Sequence, residues 1–263
     1  MKLENIIEIM EKAAPLFLKE SYDNVGLMVG DRNSNITKIL VALDCTKEVI
    51  EEAKEIGAQL ILTHHPLIFN KPSSITEDTL QGEKIRALIK NDISLYSSHT
   101  NWDKVKNGLN DEFVSVLGFN SGEILEHDSN MDGAGVGRKV VLAKPEKVEN
   151  IIKSVKEKVN LNTIRVVGDI NKQIRTIGFI NGSGEDYFQM CVETGIELVI
   201  TGDTTYHYAS DFNEKGLIIL DIGHFNCEWP VLINLSNKVL KPVKDEGVEV
   251  IISKKSTDPY QFI

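Results

Sequence analysis

The sequence is poor in cysteine and lacks long apolar runs. Its 263 residues include only Cys45, Cys191 and Cys227, which are too few and too widely spaced for a disulfide framework. No apolar run approaches the ~20 residues that a helix needs to cross a bilayer. Charges interrupt the apolar pattern of residues 1–12, which predicts an amphipathic helix rather than a signal peptide. We therefore expect a cytoplasmic protein that binds no membrane.

Positive charge is also scarce. Lys and Arg number 29 against 39 Asp and Glu, which gives a formal net charge of −10. Nucleic acids attract basic surfaces, so no nucleic-acid partner is expected. An acidic chain can still bind metal ions or a small-molecule substrate.

What the sequence does contain is a regular alternation of short apolar runs and amphipathic segments. The run ILVAL at residues 39–43 is typical of a buried strand. Residues 46–56 begin with threonine, a common N-cap, and end before Gly57, as a helix would. Repeated along the chain, this alternation predicts an α/β fold built from βαβ units.

One segment interrupts the alternation. Residues 122–137, GEILEHDSNMDGAGVG, are polar, rich in glycine and without periodicity. We interpret them as a linker or crossover between a first α/β half at residues 1–121 and a second at residues 138–263.

The two halves resemble each other in sequence. Residues 39–63 align without a gap on residues 177–201, so that Gly57 falls on Gly195. The pattern H-x-N-x-[D/E] then occurs once in each half, at residues 99–103 and 224–228. This repetition predicts two similar α/β domains that arose by internal duplication. We expect them to face each other across a cleft into which the strand exits of both halves deliver ligands.

Five side chains at predicted strand exits could bind metal: His64, His65, Asp103, His224 and Glu228. Imidazole and carboxylate together suit Fe, Zn, Mn or Co, whereas calcium prefers oxygen alone. Five ligands exceed what one catalytic ion takes from protein, so two divalent metal ions per chain are expected. Each residue also has a plain alternative, since adjacent histidines occur by chance and a lone carboxylate is often a helix N-cap. The location of all five side chains at predicted strand exits favours metal binding over these alternatives.

The motifs YDNVGLMVG, ILTHHPLIF, SSHTNWD, GVGRKV, INGSG, VITGD and DIGHFNCE together resemble the NIF-three-like family. Members of that family are often labelled GTP cyclohydrolase 1 type 2 homologues. The resemblance runs from about residue 5 to about residue 252 and implies a dinuclear metal site on the same five residues, a NIF-three-like fold and a ring-like homohexamer. Tyr22 and Trp102 stand where the family often has Trp and Leu, and neither is an implied ligand.

Other residues keep two interpretations each. His99 holds the repeat position of His224, but the family pattern does not make it a ligand. It is either a hydrogen-bonding residue at the site or a buried structural histidine. His207 is either a proton carrier or a helix-surface residue. The turn at residues 181–186, NGSGED, either receives an anion or is a simple tight turn. We interpret Cys227 as a packing residue, and His127 as exposed.

Two functions use these ligands equally well. The first is a metal-dependent hydrolase that attacks a nucleotide-like or other small substrate with a metal-activated water, with His99 and His207 as candidate catalytic residues. The second is a carrier that holds iron or a similar ion and delivers it to a cofactor or partner without turnover. An adaptor that uses the cleft only structurally has no need of five assembled ligands.

Overall fold

The computed structural model describes residues 1–120 and 122–261. Residues 121, 262 and 263, which end the two halves predicted from the sequence, lie outside the described residues. The chain forms two compact units. The first unit comprises Met1–Val105 and Leu232–Thr257, and the second comprises Lys106–Val231 with residues 258–261.

The secondary structure alternates as the sequence predicts. The strands are β1 (Gly26–Val29), β2 (Lys38–Ala42), β3 (Leu60–Thr63), β4 (Ser94–Ser97), β5 (Glu123–His127), β6 (Gly135–Lys147), β7 (Arg165–Val167), β8 (Gln173–Ser183), β9 (Leu198–Gly202), β10 (Ile218–Asp221) and β11 (Glu249–Ile252). The helices are α1 (Leu3–Ala13), α2 (Lys47–Ile56), α3 (Leu80–Lys90), α4 (Thr100–Lys104), α5 (Leu109–Val116), α6 (Val148–Lys158), α7 (Phe188–Glu193), α8 (Tyr206–Glu214), α9 (His224–Val239) and α10 (Lys241–Asp245). None of these described helices combines the length and apolar character needed to cross a bilayer.

The sheet of the first unit has the strand order β1-β4-β3-β2-β11. All neighbours are parallel except β1, which pairs antiparallel with β4 at one edge. The central strands β3 and β4 are buried along their whole length, as expected for parallel strands covered on both faces. In the core, Leu40, Ile61 and Leu95 of the sheet pack with Val49 and Ile50 of α2.

The sheet of the second unit has the strand order β5-β6-β8-β9-β10-β7. Its strands β8, β9 and β10 are parallel, and β7 pairs antiparallel with β10. Ile180, Val199 and Ile219 of this sheet pack with Phe188 and Cys191 of α7 in the core.

The internal topology of the two units is the same over the repeated segments. In each, a helix leads to an antiparallel edge strand, which is followed by three parallel strands joined by helices. Ile39 pairs with Leu60 across β2 and β3, and the aligned residue Ile177 pairs with Leu198 across β8 and β9. The predicted α/β fold is thus confirmed, and the repeated segments pair these strands in the same register.

The structure differs from the predicted segmentation in two places. Residues 122–137, interpreted from the sequence as a linker or crossover, contain β5 and the start of β6, which pair as an antiparallel hairpin. The chain also passes from the first unit to the second after Val105 and returns to the first within α9. These boundaries follow from the packing of α5 against β8 and the pairing of β11 in register with β2. The contacts of α5 with β8 and of β11 with β2 are long-range, which a local pattern of polarity does not reveal.

Candidate metal centre

The adjacent histidines of the first unit follow β3 directly. His64 is fully buried, and His65 is partly exposed. The backbone at this exit is held by its neighbours, since the His65 N–H donates to the Leu43 carbonyl at 3.0 Å and the Thr63 hydroxyl donates to the His65 carbonyl at 2.9 Å. The two imidazole rings lie with their centroids 5.1 Å apart. The strand therefore delivers both rings to one place.

Hydrogen bonds determine which ring nitrogen each histidine presents. His64 Nδ1 lies 2.8 Å from the Ser98 carbonyl oxygen, and His65 Nδ1 lies 2.8 Å from Asp44 Oδ1. A carbonyl or carboxylate oxygen only accepts, so each Nδ1 carries the hydrogen. In a neutral imidazole the other nitrogen, Nε2, then offers a lone pair, which is the arrangement found in metal-ligating histidines.

His99 adds a third imidazole to the pair. Its ring centroid lies 5.0 Å from that of His64 and 5.6 Å from that of His65. One nitrogen from each of the three rings lies within 4.8 Å of the other two, which makes them a possible metal-holding group. His99 thus lies at the candidate site, and its catalytic role stays a prediction.

The orientation of His99 is set by Asp23, which sequence reasoning did not assign to the site. His99 Nδ1 lies 3.0 Å from Asp23 Oδ1, while the other carboxylate oxygen accepts from the backbone N–H and the hydroxyl of Thr100. Burial raises the pKa of Asp23, but the hydrogen bonds from His99 and Thr100 and the electrostatic attraction of His99 outweigh it and hold the pKa well below its usual range. Asp23 is therefore a buried carboxylate that stays ionised.

Asp103 reaches the site through the turn at the start of α4. Asn101 Oδ1 accepts from the His99 N–H at 3.0 Å, and its amide donates to the Ala14 carbonyl at 2.9 Å. This turn places Asp103 Oδ1 3.9 Å from His64 Nε2. The asparagine of the H-x-N-x-[D/E] pattern therefore holds the turn, while the residues around it supply the possible ligands.

The second unit carries its own pair of possible ligands at the start of α9. His224 Nε2 lies 3.0 Å from Glu228 Oε2, which is the same-face arrangement predicted from their spacing. His224 Nδ1 lies 2.9 Å from Asp203 Oδ2 and so carries the hydrogen. In the neutral ring, the lone pair of Nε2 would face the Glu228 carboxylate. Two acceptor atoms 3.0 Å apart repel each other unless a cation lies between them. A proton or a divalent ion meets that need, so these residues fit a metal.

The loop that carries Asp203 is held by a second buried carboxylate, Asp221. Asp221 accepts from the Thr204 and Gly223 N–H groups at 2.8 and 2.9 Å, and from the Arg165 guanidinium. Asp203 itself has a φ of +54°, a left-handed conformation that few non-glycine residues adopt. The TGD motif at residues 201–203 is thus part of the site, although the sequence reasoning did not propose either aspartate as a site residue.

The glycine-rich turn after β8 lies against Glu228. Gly182 has a φ of +65°, and a Cβ at this position would lie 2.4 Å from Glu228 Oε1. The side of the turn that could receive an external anion therefore adjoins the protein's own carboxylate, which favours the tight-turn interpretation. Cys227 is fully buried, and burial raises the pKa of its thiol well above the usual value, as expected for a packing residue.

The remaining histidines lie away from these groups. His207 is an exposed residue in the first turn of α8, with its ring centroid 5.5 Å from that of Tyr206. His127 is exposed in β5. Within residues 1–120 and 122–261, neither belongs to a group that could hold a metal ion. A catalytic role for His207 stays a prediction.

Gly182→Ala should destabilise the protein more than Gly195→Ala. Both glycines have a left-handed φ, which costs a residue with a Cβ about 1 kcal/mol. Only Gly182 also faces Glu228, since nothing lies within 4 Å of a Cβ at Gly195. Urea unfolding of both variants measures the difference. Equal losses of unfolding free energy would mean that Glu228 does not occupy the space beside this turn.

The comparisons with known proteins agree over the whole chain. The family model Duf34/NIF3 (NGG1p interacting factor 3) matches residues 1–259. A Clostridium perfringens (strain 13 / Type A) protein named GTP cyclohydrolase 1 type 2 homolog is 59% identical over 263 residues, all of both chains. Solved structures of a Staphylococcus aureus hypothetical protein and a Bacillus cereus protein related to NIF3 have TM-scores of 0.91 and 0.89, with 30% and 25% identity, and each match covers 100% of this chain and 99% of the other. By sequence and by fold, this chain belongs to the Duf34/NIF3 family.

Proposed function

We propose that this protein is a metal-dependent hydrolase that holds two divalent ions per chain. The proposed ligands are His64, His65, Asp103, His224 and Glu228. One observation carries the proposal: each of the three histidines bonds an oxygen acceptor through Nδ1, which makes Nε2 the ring nitrogen able to coordinate an ion.

The chemistry of the donors supports a borderline transition metal. The first unit offers two imidazoles and a carboxylate, and the second offers one of each, so nitrogen and oxygen ligands are mixed in both. Such sets suit Fe, Zn, Mn or Co. With five ligands in all, the number of ions per chain that fits is two.

A bound divalent ion would lower the pKa of a coordinated water and stabilise negative charge on the substrate. The residues of the chain supply the rest. Asp44 and Asp203 orient the ligand rings through Nδ1. His99, oriented by Asp23, would hold a proton at Nε2 beside the imidazole pair. These contacts support a site that positions a proton as well as an ion.

The proposed substrate class is supported only by the name of a relative. The Clostridium perfringens protein is called a GTP cyclohydrolase 1 type 2 homolog, which supports a nucleotide-like or other small substrate here. The homohexamer and the cytoplasmic location remain proposals that rest on the family resemblance and on the sequence.

Elemental analysis of protein purified without added metal should give close to two ions per chain. His65→Ala and His224→Ala should each lower that number, because each removes a nitrogen ligand. His127→Ala is the matched control, since it removes an exposed histidine of β5. One ion or none in the parent protein, even after reconstitution, contradicts the proposal.

Asp203→Ala should weaken metal binding about 10- to 100-fold, the usual cost of removing the partner of a ligating histidine. The His224 ring would lose the acceptor that fixes its tautomer. Asp211→Ala removes an exposed carboxylate of α8 and serves as the control. Titration with zinc against a competing chelator measures both affinities. If the two variants bind zinc equally well, Asp203 does not orient a ligand.

An activity assay distinguishes a metal-dependent hydrolase from a metal carrier. Metal-loaded protein should hydrolyse GTP or another nucleotide, and His99→Ala should lose most of this activity while it keeps its metal, because the ligands remain. His207→Ala tests the second candidate proton carrier in the same assay. Absence of turnover on a broad panel, with rapid transfer of iron to a chelator, would identify a metal carrier instead.

A further inference from the structure

Two aromatic side chains of the first unit lie exposed next to each other. Tyr22 is 65% exposed and Phe69 is 42% exposed. Their ring centroids lie 6.3 Å apart, with the ring planes tilted by 54°. We call this pair the aromatic ledge. Adjoining apolar side chains that are exposed to solvent often mark a binding site.

The loops that carry the aromatic ledge are tied to each other, and the loop of Tyr22 is tied to α4. The Asn24 amide donates to the Ile68 carbonyl at 2.6 Å, which joins the loop of Tyr22 to that of Phe69. The Glu20 N–H donates to the Thr100 hydroxyl at 2.9 Å, and Glu20 forms an ion pair with Lys104 at 2.6 Å. A surface held in this way loses little freedom when it binds a ligand.

Each residue of the ledge lies close in sequence to a residue of the candidate metal centre. Tyr22 immediately precedes Asp23, the residue that orients His99, and Phe69 follows His65 by four residues. The Tyr22 phenol also lies close enough to Asp103 to feel its charge. Burial, and then the charges of Glu20, Asp23 and Asp103, raise the pKa of Tyr22, although Lys104 acts in the opposite direction. The ledge therefore borders the candidate metal ligands.

The charges around the ledge restrict what can bind there. The charges of Glu20, Asp23 and Asp103 act on the phenol, and among the described residues only Lys104 opposes them, so an anionic group is repelled and a group with N–H donors is attracted. The 54° tilt leaves no parallel slot between the two rings. A flat ligand would instead stack on the exposed face of Tyr22, with Phe69 against its edge.

We infer that the aromatic ledge binds the planar heteroaromatic ring of the small-molecule substrate, a neutral ring with N–H donors along its edge. This inference rests on the proposed hydrolase function and adds a binding site for the part of the substrate beside the metal. A second protein chain fits less well, because a stable interface buries about 1,200–2,000 Å² and keeps charged groups out of its centre.

The test is an NMR titration with guanosine, a neutral ring nucleoside, on metal-loaded protein. Tyr22→Ala should bind guanosine about tenfold more weakly, within the usual range for loss of one base–aromatic stack. Tyr22→Phe and Tyr22→Trp should keep the parent affinity because each retains a ring. Tyr260→Ala, which removes another exposed tyrosine, should change nothing. Ribose should not bind, and xanthosine should bind more weakly because its ring is largely anionic at neutral pH.

The result can be separated from that of the metal experiments. Elemental analysis of each variant and a repeat titration after chelation report on the ion independently of the ring. Two ions per chain with equal guanosine affinity in the parent and Tyr22→Ala would overturn this inference and leave the proposed function intact. Fewer than two ions per chain in the parent protein, together with the tenfold loss of guanosine affinity in Tyr22→Ala, would support ring binding and contradict the dinuclear proposal. A change of oligomeric state in Tyr22→Ala, seen by sedimentation with unchanged guanosine affinity, would assign the ledge to contacts between copies and overturn the inference.

Discussion

The hydrogen bond from imidazole Nδ1 to an oxygen acceptor is the interaction on which the candidate centre depends. A neutral imidazole with no such bond exchanges between two tautomers, only one of which offers a lone pair at Nε2. Here the Ser98 carbonyl, Asp44 and Asp203 each accept from one histidine of the proposed ligand set, and Asp23 contacts His99 in the same way. The chain therefore specifies the reactive nitrogen by where it places oxygen atoms.

The fold explains why those oxygen atoms are close by. Parallel strands such as β3 and β9 are buried along their whole length, so polar groups can appear only where the strands end. At these exits the backbone turns sharply, and carbonyl and carboxylate oxygens gather around the turn. Gly182 leaves space there for the carboxylate of Glu228, which any side chain at that position would displace. The position of Glu228, a proposed ligand, thus also restricts which residue the loop after β8 can carry at position 182.

The sequence alone predicted the fold and the proposed ligands because both follow local patterns. Alternating runs predict the βαβ units, and the repeat predicts that they occur twice. The hydrogen-bond partners of the histidines were missed for a physical reason: Asp44 and His65 are 21 residues apart, and Asp23 and His99 are 76 apart, so only the folded chain brings them together. The hairpin of β5 and β6 was missed because its residues are mostly polar, and the pairing of β11 with β2 because it joins distant segments.

The duplicated H-x-N-x-[D/E] pattern has a consequence for how the protein could diversify. The two copies are encoded separately, so a substitution in one leaves the other unchanged, whereas in a symmetric pair of identical chains every substitution would appear twice. His99 and His224 already have different neighbours, Asp23 beside one and Asp203 with Glu228 beside the other. A single chain that carries both copies can therefore change the surroundings of one histidine without changing those of the other.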